Sequence, residues 1–137
     1  MATHHELLVS FPDAAALGLM LGERRRNHAL EAAAADALAD LLMDARLVPD
    51  EALPVDRVAM NSRVTYEELP GRAKRSVSLV FPIDADAGDG RISVLSPVGL
   101  ALLGRAPGAM VEPPMPDGRR LRIRILGIEH PAIKEAA

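Results

Sequence analysis

The sequence predicts an α+β protein in which a helical N-terminal part precedes an antiparallel β-sheet with one short helix. Through residues 13–46, apolar residues recur at the spacing of an amphipathic helix. From residue 58 onward they alternate with polar residues, as in strands with one buried face. The change of period falls near Pro49 and Pro54. We therefore expect a helical unit at residues 1–53 and a sheet unit at residues 54–137.

The first helix is expected to begin just after Ser10. Serine is a favoured N-cap, and Pro12 in the first turn costs no helical hydrogen bond. Asp13 adds a negative charge near the positive end of the helix dipole. Gly22 has a low helix propensity, so the sequence predicts that this first helix is short and ends there.

The second helix is expected to run from a cap at Asn27 to about Arg46. Because short helices are marginal in water, the two are expected to pack as an antiparallel, coiled-coil-like hairpin. The predicted tip is polar, with the sequence Gly22-Glu23-Arg24-Arg25-Arg26-Asn27-His28.

The C-terminal unit is expected to contain short strands separated by turns. Local signals support each element: Ser96 suits an N-cap, Pro97 a first helical position, and Gly104 and Gly118 left-handed turns. In chain order, the predicted elements are strands at 58–68, 75–81 and 92–95, an acidic loop at 84–90, a helix from 97 to about 104, a turn at 113–118 and a last strand through 120–125.

Composition excludes several classes of protein and of site. There is no cysteine, which rules out disulfides and thiolate metal sites. No apolar run approaches the roughly 20 residues that a membrane span needs, and the N-terminus lacks the pattern of a signal peptide. These observations favour a soluble, cytoplasmic protein.

The net charge of −3 is unevenly distributed. Residues 1–53 carry nine acids and four arginines, whereas residues 54–137 carry ten acids and twelve bases. This is not the footprint of a sequence-specific nucleic-acid binder. The two parts are expected to have different electrostatic roles.

No catalytic or metal-binding constellation is evident. The acidic loop with Asp84, Asp86 and Asp89 lacks the later glutamate of a calcium loop. His4 and His5 are adjacent and could bind adventitious metal, but nothing else supplies a second set of ligands, and His28 and His130 are expected to be ordinary surface residues. No nucleophile with a base is recognisable, so we expect a protein that is not an enzyme and needs no cofactor.

The stretch 91–129 carries a specific resemblance. The run from Ile92 to Gly104 resembles the strand, Ser-Pro, helix and glycine signature of the C-terminal domain of the Gre-factor superfamily. Segments 107–111 and 116–118 resemble the turn and hairpin that follow it there. Segments 58–64 and 79–82 are similar to blocks of the Rnk branch, the regulators of nucleoside diphosphate kinase.

The resemblance implies a helical hairpin followed by an FKBP-like sheet domain that binds RNA polymerase at the rim of the secondary channel. It also implies that Ser96 and Pro97 contact polymerase, although helix initiation alone would explain both residues. Leu95 stands where factors of the GreB type carry an acid. A prolyl isomerase is not expected, because Tyr66 and Phe81 are the only aromatics after residue 53.

The resemblance implies a comparison with GreA and GreB, in which a longer hairpin carries acids at its tip that help hold a metal for transcript cleavage. Here Glu23 is the only acid of the predicted tip, beside Arg24, Arg25 and Arg26. Three guanidinium groups would repel a divalent cation, so no cleavage stimulation is expected. The four tip residues either contact polymerase or form a solvated turn.

The leading hypothesis is therefore a polymerase-binding regulator of elongation. The alternative is a regulator of nucleoside diphosphate kinase that acts by direct binding or through expression. The sequence does not decide the oligomeric state.

Overall fold

The computed structural model describes residues 6–27 and 32–131. Two helices are followed by a β-sheet with a short helix, which confirms the α+β class. The elements are β1 (Leu8–Ser10), α1 (Phe11–Asn27), α2 (Ala32–Asp44), β2 (Arg46–Val48), β3 (Arg63–Leu69), β4 (Ala73–Val80), β5 (Arg91–Ser93), α3 (Pro97–Leu102), β6 (Met110–Val111) and β7 (Arg122–Glu129).

The main sheet has five strands in the order β5-β4-β3-β7-β6. Strand β3 pairs antiparallel with β4 and β7, and β7 with β6. The prediction of an antiparallel sheet is wrong at one edge, because β5 pairs with β4 in parallel. Parallel neighbours require a crossover. The 3-10 turns Pro82–Asp84 and Ala87–Asp89 form it, bringing Arg91 beside Ser78.

The first helix is longer than predicted. Its start is confirmed, since Asp13 N donates to Ser10 Oγ at 3.2 Å. Its predicted end at Gly22 is wrong, because α1 continues to Asn27. A single glycine costs a helix only about 1 kcal/mol, and the following Glu23 and arginines favour helix. Asn27 therefore lies in α1, which contradicts its predicted role as the cap of α2; α2 is described from Ala32.

A small parallel ribbon of β1 and β2 was not predicted. It brackets the two helices, which contact each other, and ties them to the rest of the chain. Leu8 N donates to Gly104 O at 3.3 Å. Arg57 Nη1 donates to Glu6 O at 2.9 Å and to Gly104 O at 3.1 Å. The segment after α3 thus anchors the base of the helical part.

One cluster of buried side chains draws on both parts of the chain. Leu17 and Leu38 of the helices are fully buried in it, together with Leu102 of α3 and Ile123 of β7. Full burial of such a side chain contributes about 1.5–3 kcal/mol. The helices are therefore packed onto the sheet. The boundary at residues 53/54 and the FKBP-like assignment stay predictions.

Candidate functional site

The Ser96–Pro97 corner joins β5 to α3. Ser96 is the N-cap of α3, as predicted, and its Oγ accepts from Gly99 N at 3.1 Å. The same hydroxyl donates to Ser93 O at 2.6 Å, and Ser93 Oγ accepts from Leu95 N at 2.9 Å. The hydroxyl proton of Ser96 is therefore used inside the corner. Pro97, at the first helical position, keeps part of its ring exposed.

Gly99 lets α3 lie against the strand before it. A Cβ on this buried residue would overlap the carbonyl oxygen of Ser93 and would lie 3.0 Å from Ser93 C and from Ser96 Oγ. At the other end of α3, Gly104 has a φ of 81°. Gly99 therefore allows the first turn of α3, which contains Pro97, to lie close to the strand before it.

The predicted tip residues lie on a helix. Glu23 is an exposed residue of α1, and Arg24, Arg25 and Arg26 lie in the last described turn of the same helix. The predicted loop at residues 22–27 is therefore wrong, while His28 lies outside the described residues. The predicted contact residues thus belong to two different helices, Glu23 and the arginines to α1, and Ser96 and Pro97 to the start of α3.

The acidic loop and two arginines of β7 are held in ion pairs. Arg91 lies 3.8 Å from Asp86 and 3.5 Å from Asp89. Across the sheet, Arg122 pairs with Glu112 at 3.3 Å and Arg124 with the buried Glu67 at 3.6 Å. Arg91, Arg122 and Arg124 are therefore already engaged by acids of the same chain. Within residues 6–27 and 32–131, no group of three metal-ligating side chains is found.

His130 has a role that was not predicted. It is exposed, but its Nε2 lies 2.7 Å from Val55 O and its Nδ1 lies 3.0 Å from Oγ of the fully buried Ser62. Because a carbonyl only accepts, Nε2 carries a proton and donates to Val55. The ring thus ties the end of β7 to the segment that enters the sheet.

An apolar groove lies between α2, α3 and β6 and was also missed. Its volume is about 920 Å³. Pro97 lies in its wall, and Arg105 is the basic residue that lines it. The Nε of Arg105 is buried and has no hydrogen-bond partner, and burial lowers the pKa of this guanidinium. The alanines at 33, 34 and 37 and the arginine after the helix stop were the available signals in the sequence.

Comparison with known proteins identifies the family. Residues 53–130 match the family described as "Transcription elongation factor, GreA/GreB, C-term". The chain belongs to the GreA/GreB family. The match includes the Ser96–Pro97 corner and Gly99, the residues whose local geometry was described above.

Among the relatives of this GreA/GreB family member is the "Regulator of nucleoside diphosphate kinase" of Escherichia coli (strain K12). It is 35% identical over 96 residues, which cover 70% of this chain and 71% of that protein. The "Transcription elongation factor GreA" of Macrococcus caseolyticus is 38% identical over 71 residues, covering 52% of this chain. The match spans only 45% of that GreA.

A solved structure supports the same assignment over most of the chain. The "Prokaryotic transcription elongation factor GreA/GreB from Nitrosomonas europaea" superimposes with a TM-score of 0.74 at 35% identity. It covers 91% of this chain and 100% of that one. By name, these relatives are elongation factors and regulators.

Of the helices described in our structure, none is long and apolar enough to cross a membrane.

Proposed function

We propose that this protein is a transcription regulator that binds RNA polymerase at the rim of its secondary channel and modulates elongation without stimulating transcript cleavage. The observation that carries the proposal is the family match over residues 53–130, which contains the Ser96–Pro97 corner. Polymerase binding would place its action in the cytoplasm.

In this proposal, the two residues of the corner have different roles. Ser96 uses its hydroxyl to hold the chain against Ser93 and Gly99, so it positions the corner. Pro97 presents part of its ring to solvent and contacts the partner. A proline ring suits this role because it adds apolar area without side-chain entropy to lose on binding.

The arm formed by α1 and α2 is short and poor in carboxylates near its far end. Helix α1 has 17 residues, about 26 Å at about 1.5 Å per residue. After Glu23 come three arginines, and the segment 28–31 that follows α1 in the sequence contributes only Glu31. A magnesium ion for cleavage needs several hard oxygen ligands, which supports a factor that enters the channel without supplying a metal site.

The test is a titration of the protein into core RNA polymerase that carries fluorescently labelled GreB. We expect displacement of GreB together with loss of cleavage of a backtracked transcript. In the absence of GreB, the protein should not accelerate cleavage. Displacement with accelerated cleavage would contradict the second half of the proposal, and failure to bind core enzyme would contradict all of it.

Substitution of Pro97 separates docking from folding. Pro97→Ala should weaken displacement of GreB while leaving the unfolding transition nearly unchanged, because alanine is also accepted at a first helical position. The matched control is Pro12→Ala, which changes an exposed proline in the first turn of α1. Equal displacement by both variants would exclude Pro97 from the contact.

A second candidate function follows from the name of the Escherichia coli relative. In this alternative, the protein regulates nucleoside diphosphate kinase, either by binding it or through its expression. Direct binding is tested by co-elution of purified kinase with this protein in the absence of polymerase. Co-elution without any binding to core polymerase would favour the kinase alternative.

A further inference from the structure

The groove between α2, α3 and β6, called the α2–α3–β6 groove below, has walls suited to an apolar partner. Small side chains of α2 form one wall, and α3 and the strand after it form the others. The lining residues that matter here are Ala33, Ala37, Leu100, Ala101, Met110 and Val111. Its volume of about 920 Å³ is at the upper end of the usual range for binding sites.

Arg105 places a positive charge in this apolar surface. Its backbone is held on both sides, because its N–H donates to Leu102 O at 3.1 Å and its carbonyl accepts from Val58 N at 2.9 Å. Its side chain has no hydrogen bond or ion pair in the part of the chain that the structure describes, and its Nε is buried. Arg105 is only partly buried and lines the groove, so the rest of its guanidinium can donate hydrogen bonds to an anionic partner.

The other charged residue of the groove does not neutralise Arg105. Glu112 also lines the groove, but its carboxylate pairs with Arg122 at 3.3 Å on the sheet. The groove therefore offers an apolar surface with one unpaired cation. Charge complementarity selects an occupant that is apolar and carries a carboxylate.

The edge of the sheet beside the groove indicates how the occupant is held. Strand β6 has only two residues, and Pro113 and Pro114 come directly after Glu112, the next residue. Proline has no backbone N–H to offer, so an added strand would find almost no ladder to extend. Recognition must rest on side chains, through the alanine wall of α2 and the fork of Arg105, which matches a carboxylate with two parallel hydrogen bonds.

We propose that the α2–α3–β6 groove binds an apolar segment of a partner protein that carries an aspartate or glutamate, and that its carboxylate pairs with Arg105. This site goes beyond the proposed docking through the corner. Pro97 borders both surfaces, so the test is built on Arg105, which the docking proposal does not use.

The test is selection of binders from a phage-displayed library of random peptides against the full chain, followed by affinity measurements on the enriched peptides. We expect the enriched sequences to share an acid flanked by apolar residues. Arg105→Met keeps the aliphatic stem but removes the charge. It should weaken these peptides by about 10- to 100-fold, as expected for a charged hydrogen-bonded pair, without lowering the unfolding temperature.

The control variant is Arg91→Met, which removes an arginine paired with Asp86 and Asp89 in the crossover and should leave peptide affinity unchanged. Absence of an acidic and apolar consensus, or equal peptide affinity for wild type and Arg105→Met, would overturn the proposal. The proposal would also be overturned if hexanoate bound as tightly as the peptides and its binding required Arg105, because a small carboxylate would then be the ligand. Dimerisation that Arg105→Met abolishes would assign the groove to a second copy instead. None of these results depends on polymerase, so the groove and the docking proposal fail separately.

Discussion

At the scale of single residues, Gly99 is the position that tolerates least change. A methyl group there would overlap the carbonyl oxygen of Ser93 and crowd the N-cap hydroxyl of Ser96. Both neighbours are fixed, since they hydrogen-bond to each other at 2.6 Å. The close approach of α3 to the strand before it therefore depends on the absence of a side chain.

We expect Gly99→Ala to lower the free energy of unfolding by about 1–3 kcal/mol or more, the usual range for overpacking. Urea denaturation of the two proteins measures this difference. Gly88→Ala is the control, because a Cβ at Gly88 would meet only Asp86 Oδ1, at 3.6 Å. An unchanged midpoint for Gly99→Ala would show that α3 can shift without cost.

Asp13 links stability to pH. Its Oδ2 accepts from Met60 N at 3.0 Å. Burial raises the pKa of Asp13 above its ordinary value of 3.8, and the charge of Asp50 raises it further, while the Met60 hydrogen bond lowers it in part. The folded state thus holds this proton more tightly than the unfolded state, so the stability gained from it is present at low pH and is lost as pH rises through the folded pKa.

Asp13→Asn removes this ionisation but keeps an oxygen that can accept from Met60. The variant should therefore gain stability relative to wild type as pH rises above the ordinary pKa of 3.8 toward neutrality, because the buried wild-type carboxyl group then becomes charged. Urea midpoints across this range provide the measurement. A difference between the two proteins that stays constant with pH would contradict burial as the dominant influence on Asp13.

At the scale of elements, the sequence predicted those features that depend on residues close together in the chain, such as helix caps. The caps at Ser10 and Ser96 depend on contacts three residues apart, and both predictions are confirmed. The ribbon of β1 and β2 was missed because three-residue strands carry no periodicity, and the parallel position of β5 depends on its partner β4. The groove and the bridge made by His130 join residues far apart in the sequence, so no local pattern predicts them.

The continuity of α1 can be tested at Gly22. In a continuous helix, Gly22→Ala should raise the free energy of unfolding by about 0.5–1 kcal/mol, because a Cβ there would meet no atom within 4 Å. If Gly22 instead ended the helix in a left-handed turn, alanine would destabilise the protein. Gly118→Ala, at a φ of 88°, provides that destabilising reference in the same thermal unfolding experiment.

At the scale of the whole molecule, the helical part and the sheet share one core but differ in charge. Residues 1–53 are acidic overall, yet three of their four arginines are consecutive, at the far end of α1. This concentrates positive charge where the arm would be deepest in the polymerase channel. In the proposed function, the corner determines where the protein docks, and the arginines determine how strongly the arm is retained.

The arm is tested by replacing Arg24, Arg25 and Arg26 together with alanine. Exposed charge contacts contribute about 0.2–1 kcal/mol each, so the triple variant should displace labelled GreB about 3- to 100-fold less effectively at low salt. Added salt should reduce the difference in GreB displacement between the variant and wild type, because it screens the charge contacts that only the wild type makes. A triple lysine variant retains the charge and should recover most of the affinity, because both side chains are cationic although only arginine forms the two-pronged pair. Identical displacement by the alanine variant and wild type at low salt would mean that the arginines only solvate the end of the arm, leaving docking to the sheet domain.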